Sequence, residues 1–321
     1  MNWRPTASPQ TLERRSQVLQ NVRAFFYERE FIEVQTPVLG RDTVVDRHID
    51  PVRVKGDQLG VTSTNGKEYF LQTSPEFCMK RIVANATPAI FQICPAFRAG
   101  ERGELHNTEF TMVEWYRVGD DMEAGVKLLA ELAQRTLGQA ARLSTYRDAF
   151  QNSIQVDPFE CDLQQLAEVG AGHLDVDLDW SSDRDDWLNL LFAELVQPGL
   201  GKSGPEIVTH YPASQSALAR IDSEDSRAAE RFELFCGGIE LANGYHELLD
   251  AGELTHRNES VNRQRIADGK EVLPEQSRLL EAMQSGLPAC AGCALGFDRL
   301  MMVILGVANI ADVISFPIER S

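Results

Sequence analysis

Three stretches of this sequence carry the side chains that could do chemistry. The first is FQICPAFRAGERGELHNTEFTMVEWYR, Phe91 to Arg117, which reads as two strands joined by a polar loop. Alternation along a strand puts Phe91, Ile93 and Phe97 on one side of the first half, and Gln92, Cys94 and Arg98 on the other. Arg98 therefore leaves the sheet opposite the large apolar residues. On the returning strand Phe110, Met112, Glu114 and Tyr116 share one face. An aromatic plate, a carboxylate and a phenol beside an arginine suit a flat heterocycle, a phosphate and an amine taken together. The loop between the strands, 99–107, sets two glycines among charged and histidine side chains and is too polar for a core.

The second stretch holds Glu233, Glu240 and Glu247, evenly spaced along RFELFCGGIELANGYHEL. On a helix they would form one stripe, but Gly237, Gly238 and Gly244 argue for strands with a tight turn and a bulge. Carboxylates on the inner face of a sheet repel one another without cations; magnesium on phosphates, or a substrate ammonium, would supply them. The third stretch, Gly292 to Gly306, is a strand of small residues feeding a helix that starts near Asp298. Gly292, Ala294 and Gly296 let a ligand approach the backbone. Arg299, in the helix's first turn, opposes the dipole and so calls for an anionic partner such as phosphate.

These side chains need elements to position them. Residues 11–30 space Leu12, Val18, Leu19, Val22, Phe25 and Phe26 as one face of a helix. FIEVQTPVL alternates as a strand that Pro37 ends or kinks. In EYFLQTSPEFCMKRIVAN a short strand reaches Thr73, Ser74 caps a helix, Pro75 fits its first turn, and Glu76 sits where the dipole favours a carboxylate. Met122 to Leu137 reads as a helix ended by Gly138. In 140–200, short helices at Leu163–Val169 and Asp186–Val196 flank an aspartate-rich stretch, 175–186, that reads as a solvated loop rather than a calcium site. PEIVTHYPAS is a strand entering a turn, and helices follow at about Glu253–Asp268 and Pro274–Ser285. With no repeats or linkers, 1–321 reads as one domain.

Composition narrows the class. The 321 residues are 43% hydrophobic, enough for a sizeable core. No apolar run reaches the roughly 18 residues of a membrane span, and the N-terminal residues lack a signal segment, so a cytoplasmic location is expected. Cysteines are scattered except for Cys290 and Cys293, which lack the second pair a zinc site needs. A net charge of −17, from 48 acidic against 31 basic side chains, shows none of the basic stripe typical of nucleic-acid binders.

Together these residues resemble the class II aminoacyl-tRNA synthetases. Pro37 after a helix and strand looks like motif 1, FRAGERGELHNTEF like motif 2, and GCALGFDR like motif 3, in the family's order and spanning nearly the whole chain. TSPEFCMKRIV, HNTEFTMVEWY and RFELFCGGIELANGYHEL are similar to the lysyl branch. The resemblance implies an α+β fold, an antiparallel β-sheet flanked by helices, with motif 1 at a homodimer interface. Motif 1 begins close to Met1, where a bacterial lysyl-tRNA synthetase carries an anticodon-binding barrel first. A freestanding core of this kind resembles the ligases that attach lysine or (R)-β-lysine to elongation factor P, which makes that protein, rather than tRNA, the expected acceptor.

The resemblance also implies roles. Arg98 and Arg299 would be the catalytic arginines on the ATP phosphates, and Phe110 would stack on adenine with Asn107 nearby. Gly100, Glu101, Leu241 and Gly296 would complete the ATP site, and Glu233 and Glu240 would carry Mg2+. Glu76 would take the backbone-side amine; Glu114, Tyr116 and Glu247 would hold the far amine, with Ser74 and Ala294 lining the pocket. Two departures stand out. Motif 2 usually reads arginine-x-glutamate, but here Gly100 holds the third place and Glu101 follows it. Ala294 replaces a motif 3 glycine, and one methyl at a pocket floor shifts discrimination between amine positions by about 1–3 kcal/mol, in favour of a β-amino substrate. Two other readings stay open: a truncated synthetase that charges tRNA, and a noncatalytic regulator that kept the fold.

Overall fold

The computed structural model describes residues 3–60, 62–64 and 66–321. The chain groups into two compact units, Met1–Asp121 with Glu247–Ser321, and Met122–His246.

The first unit opens with α1 (Pro9–Tyr27), whose start is set by Ser8: its hydroxyl accepts from the Thr11 N–H, and Pro9 needs no hydrogen bond there. Short strands β1 (Ile32–Glu33), β2 (Leu39–Gly40), β3 (Arg53–Lys55) and β4 (Glu68–Leu71) follow, then α2 (Glu76–Ala84), β5 (Ala89–Phe97) and β6 (Glu109–Val118). The strand expected over FIEVQTPVL is broken. Pro37 has no N–H for a ladder, and the pieces on either side join different sheets: β1 pairs parallel with β5, β2 antiparallel with β4.

The second unit contains α3 (Met122–Leu137), β7 (Arg142–Thr145), α4 (Tyr146–Ile154), α5 (Leu163–His173), α6 (Arg184–Leu191), β8 (Glu206–Pro212), β9 (Ala228–Cys236) and β10 (Ile239–His246). β7 pairs parallel with β8, and β8–β9 and β9–β10 are antiparallel, with a register shift between Glu240 and Ala242. Its core is aromatic: Tyr146 and Phe192 stack with centroids 5.2 Å apart, and Trp187, Phe150 and Phe235 are fully buried around them. The aspartates of the acidic stretch work locally, Asp183 capping α6 by accepting from the Asp185 N–H.

The chain returns to the first unit with α7 (Ala251–Ala267), α8 (Arg278–Gly286), β11 (Cys290–Gly296) and α9 (Phe297–Leu305). There β5, β6 and β11 form an antiparallel sheet with β1 on its edge. α1 covers one face: Phe26 stacks on Phe91 at 4.7 Å and packs against Trp115. The other face of the same strands is left for Gln92, Glu114, Tyr116 and Ala294, as the alternation required. Among the described residues no helix is long and apolar enough to cross a membrane.

Candidate active site

Strand register brings the candidate carboxylates together. Gln92 lies opposite Glu114 and Glu114 opposite Ala294; one pleat along, Tyr116 lies opposite Gly292. α2 comes in over this face with Glu76 in its first turn and Lys80 one turn later. The helix begins one place after the Ser74 cap expected from the sequence, with Pro75 at the cap position. Ser74 still works at that end, accepting from the Glu76 N–H at 3.0 Å while its own hydroxyl donates to Glu114 Oε2 at 2.7 Å. Tyr116 donates to the other Glu114 oxygen at 2.6 Å. Glu247 follows β10 and is pinned through its N–H to the carbonyl of Cys290, 3.0 Å away on β11.

Three carboxylates thus share one enclosure. Glu76, Glu114 and Glu247 are 7%, 1% and 0% exposed, so water does little to screen them. Among the described residues the basic side chain paired with them is Lys80, 1% exposed, whose Nζ pairs with Glu76 Oε1 at 2.5 Å and with Glu247. Burial, reinforced by the charge of Glu76, pushes the Glu114 carboxyl up to about 7. Burial likewise pushes Glu247 up to about 8, against the pull of Lys80. For Lys80 burial disfavours the ammonium, but Glu247 and Glu76 outweigh it, and the group is held charged. Sequence reasoning missed Lys80. The available signal was its spacing of one helical turn from Glu76 in TSPEFCMK, which places both on one face.

The two candidate arginines lie on the loop between β5 and β6 and on α9. Arg98 stands over the Phe110 ring, 5.1 Å from its centroid, and its Nε is buried without a hydrogen-bond partner, an orphaned donor of the kind a ligand satisfies. Gly100 takes a φ of +78°, a conformation costly for a glutamate, and so turns Glu101 back to within 3.7 Å of Arg98. The glutamate displaced by one place in sequence is thereby kept beside the arginine. Arg299 donates to the carbonyl of Leu105 at 3.3 Å and contacts His106 Nε2 at 2.6 Å, so it braces the loop. Asp298 anchors the start of α9, accepting from the Thr111 N–H at 2.6 Å and pairing with Arg15. Asn107 is used at both ends of its amide, donating to the Glu109 carbonyl at 2.6 Å and accepting from the Ile318 N–H at 3.1 Å. Gly296 is the residue from which α9 departs.

Glu233, Glu240 and Leu241 belong to the second unit. Glu233 accepts from the Tyr211 hydroxyl at 2.6 Å and is paired with Arg231, so its charge is already compensated. Glu240 flanks the bulge of β10, with Leu241 buried beside it. Among the described residues no group of three or more His, Cys, Asp or Glu side chains could hold a metal. Glu233 and Glu240 do not make a metal site by themselves. Cys290 and Cys293 are both buried in β11.

The family model described as tRNA synthetases class II (D, K and N) matches residues 1–320. Similar curated proteins include those named Elongation factor P--(R)-beta-lysine ligase from Salmonella arizonae and from Salmonella paratyphi B. Each is 44% identical over 322 residues, covering 99% of this chain and 98% of the relative. The chain therefore belongs to the class II tRNA synthetases of the D, K and N group.

Proposed function

We propose that this chain is an ATP-dependent, AMP-forming ligase that activates (R)-β-lysine or lysine as the adenylate and passes it to a lysine side chain of elongation factor P. The observation that carries the reading is the amine pocket. Three buried carboxylates against one buried ammonium leave a deficit of two positive charges, which a diammonium ligand fills. A ligand lacking either amine leaves a carboxylate unpaired in a dry site, and that penalty gives selectivity. The similarity to ligases so named, over 99% of this chain and 98% of the relatives, supports the acceptor.

In the proposed sequence a carboxylate oxygen of the amino acid attacks the α-phosphorus of ATP and the bond to pyrophosphate breaks. Arg98 stabilises the charge that develops on the α-phosphate, Arg299 holds the distal phosphates, and Phe110 stacks on adenine. Glu76 takes the amine nearer the carboxyl; Glu114, Tyr116 and Glu247 take the far amine. The neutral acceptor amine then attacks the carbonyl carbon, the bond to AMP breaks, and the nitrogen gives its extra proton to solvent. Magnesium enters as part of the MgATP substrate. Residues 1–321 act as one catalytic module, in the cytoplasm, as a homodimer joined near α1 and β1, where Tyr27 and Ile32 are half exposed.

The experiment is mass spectrometry of elongation factor P after incubation with the protein, ATP and each lysine isomer, alongside aminoacylation of tRNA. Mass gain on elongation factor P with uncharged tRNA is expected. Charged tRNA and unmodified elongation factor P would instead establish the tRNA-charging reading, and ATP-linked stabilisation without turnover would establish a noncatalytic regulator.

A further inference from the structure

Lys80 is assigned no role by the reaction as described. Its position is nonetheless demanding: a full ammonium is held inside the protein, one helical turn from Glu76, paired to Glu76 and to Glu247. The titratable groups facing it are Glu76 from its own helix, Glu247 from the segment after β10, and Glu114 and Tyr116 from β6, its Nζ standing 5.9 Å from the centre of the Tyr116 ring. Without Lys80 these would be three carboxylates and no internal cation. Such a cluster answers by binding protons, and a protonated carboxyl cannot pair with an ammonium. With Lys80 present the deficit is two. That matches a diamino acid once adenylation has removed its carboxylate charge.

We infer that Lys80 is a positioning residue that sets the charge count of the amine pocket: its ammonium, paired to Glu76 and to Glu247, offsets part of their charge and leaves the pocket suited to a diammonium substrate. A carboxylate has room for more than one donor, so Lys80 can engage Glu76 and Glu247 without blocking the ligand's amines. The inference rests on the proposed adenylation and adds to it a residue that acts through the carboxylates rather than on the substrate.

The test compares lysine-dependent pyrophosphate exchange by the wild-type protein and by Lys80→Met, from about pH 7 to about pH 9, with circular dichroism to verify folding. Removing the internal cation raises the affinity of the carboxylates for protons, so the variant's KM for lysine is expected to rise about tenfold or more near neutral pH, with KM for ATP changed less than about twofold. The ratio of variant to wild-type KM should then shrink as pH rises and the carboxylates ionise. Titration of the substrate's own amines cancels in that ratio. A lost structural ion pair would give a ratio independent of pH, and that result, or an unchanged KM, would overturn the inference. If Lys80→Met does not fold, Lys80→Gln, which keeps N–H donors without the charge, carries the same comparison. Failure of both neutral variants to fold would make Lys80 a structural ion pair and overturn the inference as well. Absence of exchange in the wild-type protein would sink the proposed activity; exchange with a flat ratio would sink only the role of Lys80.

Discussion

At the scale of single residues, the site stores protons. Glu247 and Glu114 have their carboxyls pushed up to about 8 and about 7 from the ordinary 4.5, burial being the main cause in each. A raised carboxyl means that the folded state binds protons the unfolded chain has already released. That contribution to stability is fully present below about pH 4.5 and is lost as pH rises through about 7 to 8. The unliganded protein should therefore lose stability over this window, and Glu247→Gln, which cannot ionise, should flatten the slope by up to about 1.4 kcal/mol per pH unit. Melting temperatures measured across the window check this; parallel curves for the two proteins would contradict it. Glu114, Tyr116 and Glu76 were legible because strand alternation and a helix start dictate where those side chains point. Lys80 was not, since a lysine on a helix is ordinarily a solvated one.

At the scale of elements, the pocket depends on how closely β11 passes β6. A Cβ built on Gly292 would lie 2.2 Å from Tyr116 Cε1 and 2.5 Å from Glu247 Oε1. The Tyr116 ring and the Glu247 carboxylate, which the proposed function assigns to the far amine, would both have to move. Gly292→Ala is expected to raise KM for the lysine substrate by about tenfold or more while costing about 1–3 kcal/mol of stability, with KM for ATP little altered because Arg98 and Phe110 lie at the other end of these strands. Pyrophosphate exchange against each substrate in turn measures it, and an equal loss of affinity for ATP would point to general misfolding of the sheet. The β5–β6 hairpin, α3 and the step from β11 to α9 were all readable from alternation, periodicity and a terminal glycine. β7 and α4 were not anticipated, although Thr145 and Asp148 form a capping box at the start of α4. The capping signal lay before a helix only two and a half turns long, too short for its apolar period to stand out in a polar region.

At the scale of the whole molecule, the expected assembly is a homodimer. Light scattering should give twice the 35.8 kDa chain mass, and a mass of one chain at all concentrations would refute it. The acidic balance of −17 suits a protein acceptor better than tRNA, whose phosphates reward basic surface. The sequence by itself determined the family, the hairpin that carries Arg98 and Glu114, and the types of residue at the site, because those follow from periodicity, local caps and motif order. Only the tertiary structure decided which charges meet. It gave Glu247 to Lys80 and Glu233 to Arg231, although the two glutamates stand in the same stretch of chain with the same spacing to Glu240. It also returned Glu101 to Arg98 across the turn at Gly100. Side chains far apart in sequence carry no local signature of their partners, and in a buried site the partner decides whether a carboxylate is a ligand, a proton store or one half of an ion pair.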